Sequence, residues 1–171
     1  MTEEKAIAHL ETIRQDIRDE TKRRIEQRDK YSIQLTIALG AIVAVSFSKS
    51  GLGKVLIAAP LVSIYFTVLI LYSYRIHRLL ALYLREKLEP ELARLCGTSP
   101  DIEWETYYTA HEVPGIRRGF FLGALWVICI VSLAYLWMAE RGQAEFKMVL
   151  IFTTIIYILA ALVITIIFRR S

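Results

Sequence analysis

"VLIAAPLVSIYFTVLILYSYRIHRLLALYLREKLEPEL" (residues 55–92) joins two kinds of sequence in one unbroken run. Its first part, Val55 to Tyr74, contains no Asp, Glu, Lys or Arg. About twenty predominantly apolar residues are what a helix needs to cross a ~30 Å hydrocarbon core. The second part is charged, yet Ile76, Leu79, Leu80, Tyr83, Leu84 and Leu88 recur at the spacing of one helix face. Pro60 falls in the first turns of the apolar part, and from Leu61 to Glu89 nothing breaks a helix. Such a helix is roughly 44 Å long at 1.5 Å per residue, so it outruns the bilayer and continues into water as the same rod. Pro90 is expected to end it, because a proline disfavours the helical conformation of the residue before it.

Three further windows lack Asp, Glu, Lys and Arg: Tyr31 to Ser48, Gly119 to Ala139, and Met148 to Phe168. With 55% apolar residues and a mean hydropathy of +0.42, the composition exceeds that of an ordinary soluble domain. A soluble protein with four buried helices is the alternative, but its core helices would rarely stay charge-free for that length. The expected fold is all-α: a polytopic membrane protein with spans at 31–48, 55–74, 119–139 and 148–168. A strongly charged segment of thirty residues precedes the first span, so it does not read as a cleaved signal peptide.

Residues 2–39 contain no Gly or Pro, and Glu3 and Glu4 follow Thr2 as acids follow a cap. One helix is therefore expected to start there and lead into the first span. Ile7, Leu10, Ile13 and Ile17 form its apolar stripe, with Arg14, Asp16, Arg18 and Asp19 set away from it. Glu20 and Arg24 stand at the i,i+4 spacing of an ion pair. The first helix runs toward the membrane and the second away from it. Their two stripes are thus expected to pack as a cytosolic helical hairpin, unless a neighbouring protomer covers them. An amphipathic helix lying on the membrane surface is the competing reading, opposed by acids that anionic headgroups repel.

Four spans put the N-terminal segment, residues 75–118 and the C-terminal end on one side. That side carries seventeen Lys and Arg, against Lys49, Lys54, Arg141 and Lys147 on the other. The positive-inside rule then places both termini and the central segment in the cytoplasm, and the plasma (inner) membrane is the expected location. The formal charge of +4 needs no nucleic acid to explain it. Acids balance bases before Tyr31 and again in residues 75–118, as on solvated helix faces.

After a short helix and a turn at residues 97–100 comes "DIEWETYYTAHE" (residues 101–112). Trp104, Tyr107 and Tyr108 suit the headgroup level of a membrane, which is the plainer reading. Together with His111 they are also candidates for docking a soluble cytosolic protein or a small ligand. In the spans, Gly40 with Ala44 and Gly119 with Gly123 have the small-xxx-small spacing that lets helices approach closely. They are candidate contacts within the fold or between copies. Ser63, Thr67, Ser132, Thr153 and Thr154 are polar groups of the kind that bond between membrane helices. The fourth span, rich in Ile, Leu and Val, reads as the most lipid-exposed.

The motifs of enzymes are missing: no HExxH, CxxC, GxxxxGK or GxSxG occurs. His9 and His77 fall on charged helix faces, expected to be solvated, and His111 lies in a loop. Cys96 and Cys129 sit in a loop and a span, so neither a disulfide nor a metal site is expected, and no cofactor is implied. The spans carry no titratable carboxylate, Lys, Arg or His, which argues against ion-coupled transport.

"YLREKLEPEL" with Trp104 and Glu105, "RIEQRDKY" before the first span, and "APLVSIYFTVLILYSY" in the second resemble a family of small prokaryotic four-span membrane proteins with no assigned chemistry. More loosely, an N-terminal helix followed by four spans resembles the multi-span membrane effectors of bacterial antiviral systems, which oligomerise and perturb the membrane. The charge-free spans and the small-residue spacings, in line with that resemblance, lead to the expectation of a non-enzymatic homo-oligomer in the lipid bilayer that forms or gates a leak. A scaffold presenting its cytosolic surface to a soluble partner is the second expectation.

Overall fold

The computed structural model describes residues 3–48, 52–99, 116–139 and 144–169, and nearly all of them are helical. Helix α1 spans Glu3–Ser48 without interruption. Its acids at Glu3 and Glu4 face the positive end of the helix dipole, and Gly40, worth about 1 kcal/mol against alanine, does not break it. A tight 3-10 segment, Leu52–Ile57, leads into α2, Ala58–Tyr83. Pro60 lies in the first turn of α2, where backbone N–H groups have no helical partner anyway. Helices α4, Ile116–Ala139, and α5, Ala144–Arg169, follow α3, Glu89–Cys96.

The expectation that Pro90 ends the second helix is overturned. Between α2 and α3 the chain widens into one π-helical turn, Leu84–Leu88, in which the Glu89 N–H reaches the Leu84 carbonyl five residues back. Pro90 then stands at the start of α3, where it has no N–H bond to lose. A wider turn relieves the clash between the proline ring and the preceding turn, so the helical path continues to Cys96. Gly97 terminates it in the left-handed region, φ 65° and ψ 27°, the conformation that glycine adopts without a Cβ penalty. The Thr98 N–H also returns to the Ala93 carbonyl, at 2.9 Å.

The described residues fall into two compact units, one drawn from 1–28 and 72–114 and the other from 29–71 and 115–171. In the first, Ile7, Leu10, Ile13 and Ile17 of α1 pack on Leu84, Leu88 and Leu92. Burial of each leucine contributes about 1.5–3 kcal/mol. In the second, one cluster gathers Leu56, Ala59, Leu133, Leu136, Leu150 and Tyr157, and another Leu71, Leu125, Cys129, Ala161 and Ile164. Helix α2 supplies the most deeply covered face, with Ser63 and Ile70 fully enclosed. The least covered apolar window belongs to α1, 6% buried against 22% for α5, which corrects the ranking expected from composition. Burial follows which helix is central, and aliphatic content does not report that.

Candidate interaction surfaces

Of the apolar stripe expected after Tyr74, Leu84 and Leu88 meet the stripe of α1, and Leu92, beyond the proline, completes the contact. Ile76 and Leu80 are half-buried, while Leu79 and Tyr83 point outward, 58% and 46% exposed. Polar groups reinforce the same unit. The Ser73 hydroxyl donates to the Arg24 carbonyl at 3.1 Å, and the Arg24 Nε donates to Glu20 Oε1 at 2.6 Å. The guanidinium of Arg28, largely buried, sits 4.4 Å above the centre of the Tyr74 ring, a cation–π arrangement. His77 is half-buried with its Nδ1 in the interior, whereas the sequence placed it on a solvated face. The widened turn also leaves Glu89 buried.

Helices α4 and α5 are tied by two matching rungs. The Trp126 indole donates to the Thr165 hydroxyl at 3.0 Å, and the Trp137 indole to that of Thr154 at 3.3 Å. Three helical turns separate the two tryptophans and likewise the two threonines, so the rungs hold an antiparallel register. Each threonine hydroxyl in turn donates a hydrogen bond to the carbonyl four residues back, Thr165 to Ala161 and Thr154 to Leu150. Thr154 was legible as a bonding candidate; Thr165 was not singled out. Ser63 keeps a fully enclosed hydroxyl with no hydrogen-bond partner among the described residues.

Gly40, Gly119 and Gly123 face open space: a Cβ built on any of them meets nothing within 4 Å. Ala44 is exposed as well. Among the described residues, none of the three glycines is pressed against another helix. The docking candidates Trp104, Tyr107, Tyr108 and His111 lie outside the described residues. Cys96 is exposed and Cys129 buried, both free, and among the described residues no three His, Cys, Asp or Glu side chains gather as metal ligands. At α3 the exposed Arg94 pairs with Glu91, whose carboxyl this hydrogen bond holds below its ordinary value, while the Arg94 guanidinium is raised.

One feature runs the length of α2. Leu61, Tyr65, Val68, Tyr72, Arg75, Leu79 and Tyr83 are all exposed, and they recur at alternating steps of four and three residues before a final step of four. Such steps mark a single helix face with the period of a left-handed helix pair. Among the described residues, four helices are long and apolar enough to cross a membrane, which is consistent with a multi-pass membrane protein. Compared with protein-family models, curated proteins and solved structures, the chain matches none.

Proposed function

We propose that this chain is a non-enzymatic, self-associating multi-pass protein of the plasma membrane. Its spans form or gate a leak, and the unit built on Ile7 to Ile17 and Leu84 to Leu92 serves assembly or sensing on the cytoplasmic side. One observation carries the membrane part. All four apolar helices leave large hydrophobic side chains uncovered, from Ile33 and Ile37 on α1 through Phe120 and Val127 on α4 to Phe152 and Leu159 on α5. Water-soluble monomers keep contiguous apolar patches to a few hundred Å². Lipid covers such a surface without penalty.

The interior of the second unit supports a particular kind of leak. Leu56, Leu71, Leu125, Leu133 and Leu136 fill it, and an aqueous path through one protomer would have to displace them. A path between protomers requires no such repacking. The orientation rests on the bias of Lys and Arg toward the termini and residues 75–118.

Reconstitution in liposomes tests this reading, with ion and dye flux and the oligomeric state measured in the same lipid. Flux from a defined oligomer is the expected result. A sealed bilayer from a monomeric protein would overturn it. Proteolysis of oriented vesicles checks the sidedness, since cleavage after Arg94 is expected only from the cytoplasmic face.

A further inference from the structure

We propose that the outward face of α2, from Leu61 to Tyr83, receives the same face of a second copy of this chain, with the two Tyr65 hydroxyls hydrogen-bonded across the pair. This rests on the membrane reading and adds the interface through which self-association occurs.

Tyr65 makes the first argument. It stands at the middle of the charge-free window Val55 to Tyr74, so its hydroxyl lies near the midplane of the hydrocarbon. The side chain is 59% exposed and packs edge-on against Phe66, 5.3 Å between ring centres, with no hydrogen bond to its hydroxyl among the described residues. A tyrosine near an interface turns its hydroxyl to the headgroups, but from the midplane those lie about 15 Å away, beyond the reach of the ring. Facing lipid, the hydroxyl is unsatisfied. A second copy inserted with the same topology runs its α2 parallel to the first, and a two-fold axis sets like residues opposite one another. A phenol both donates and accepts, so two of them satisfy each other.

The periodicity makes the second argument. Steps of four and three keep a seam facing its partner along parallel helices, and here they persist through Leu61, Tyr65, Val68, Tyr72, Arg75 and Leu79. Arg75 is the one charged member. It follows Tyr72 by three residues, within reach of an aromatic ring on the facing helix.

The third argument comes from beyond the window. Leu79 and Tyr83 remain exposed where Arg75, Arg78 and Arg85 flank them, in a stretch that lipid does not cover. The three tyrosines, the leucines and the valine offer on the order of 500 Å² of uncovered side chain, the larger part of the ~800 Å² per partner in a standard interface. A second copy of the helix covers the membrane part and the water-facing part at once; lipid covers only the first.

The test is a cysteine scan of the full-length protein carrying Cys96→Ser, in vesicles, with copper-phenanthroline oxidation. Single cysteines replace Leu61, Val68, Tyr72 and Leu79 in turn, with Ile37 on α1 and Phe152 on α5 as exposed controls. The expected result is disulfide-linked dimer from the α2 positions, little from the controls, and a dimer fraction in Tyr65→Phe that falls about three- to tenfold at a fixed protein-to-lipid ratio. Dimers linked through Ile37→Cys or Phe152→Cys with α2 silent would overturn this interface while leaving a self-associating protein. Cross-links from α2 only to a different polypeptide in native membranes, or an unchanged dimer fraction in Tyr65→Phe, would also overturn it. A monomer at every ratio would sink the interface together with self-association.

Discussion

The Tyr157 hydroxyl donates to the Ile57 carbonyl at 3.1 Å, fastening α5 to the end of the tight segment that precedes α2. Helix α2 begins at Ala58, so the Ile57 carbonyl also receives the first helical N–H, that of Leu61, and the tyrosine adds a second donor to the same oxygen from one hundred residues away in sequence. Tyr157→Phe is expected to lower stability by about 1 kcal/mol, read from thermal unfolding in lipid nanodiscs. An unchanged melting temperature would show that this hydrogen bond does not fasten the two segments.

The tryptophan rungs lead to a second expectation. Thr154→Val or Thr165→Val removes the acceptor of an indole N–H while keeping the side-chain shape, and each should destabilise the α4–α5 pairing by about 0.6–2 kcal/mol. The accompanying change in tryptophan fluorescence on unfolding reports the site directly. Two additive losses would fit rungs that act independently, being three turns apart.

For the unit formed around Ile7 to Ile17, Leu88→Ala should cost about 2–5 kcal/mol, because the leucine is almost fully enclosed. Hydrogen exchange of the amides in residues 3–28 is the measurement, and faster exchange confined there is the expected outcome. Leu79→Ala, on the exposed face, should leave that exchange unchanged in the monomer. If the two variants behaved alike, the packing around Leu84, Leu88 and Leu92 would be misassigned.

Replacement of Gly123 by leucine tests the leak at a position where an added Cβ meets nothing within 4 Å among the described residues. The variant should keep the thermal stability of the monomer and lose flux if this face borders the path between protomers. Unaltered flux would move that path to another face.

The pH response of the Glu91–Arg94 pair has a definite sign. A carboxyl whose folded value is lowered contributes stability above its unfolded value, and that contribution is lost as pH falls through the lowered one. Both side chains are exposed, so solvent screens the pair. Glu91→Gln should therefore leave the melting temperature at pH 7 unchanged within error, and a clear drop would point to a role beyond this pair.

The four apolar helices were legible because a run without charge is a property of the sequence alone, and the α1 stripe was legible because its period is. Leu84 and Leu88 were placed on a helix face by the same spacing. Which members of that face would be covered was not, since Leu79 and Leu84 look alike in sequence and differ only in whether α1 lies opposite. Pro90 misled for a similar reason: its preference acts on the residue before it, and a wider turn can absorb the conflict. Thr165 escaped notice because its value depends on Trp126, thirty-nine positions away and reached only through the pairing of α4 with α5.

The widened turn at Leu84–Leu88 and the proline behind it can also be regarded in terms of descent. A π turn is an α-helix carrying one residue more than its path requires, so this stretch has the form of a helix with a single residue inserted. Pro90 tolerates the extra residue, and the extra residue accommodates Pro90. Either alone is a defect. The two are therefore expected to be gained and lost together among descendants of this chain, with a one-residue gap opposite residues 84–88 wherever the proline is replaced.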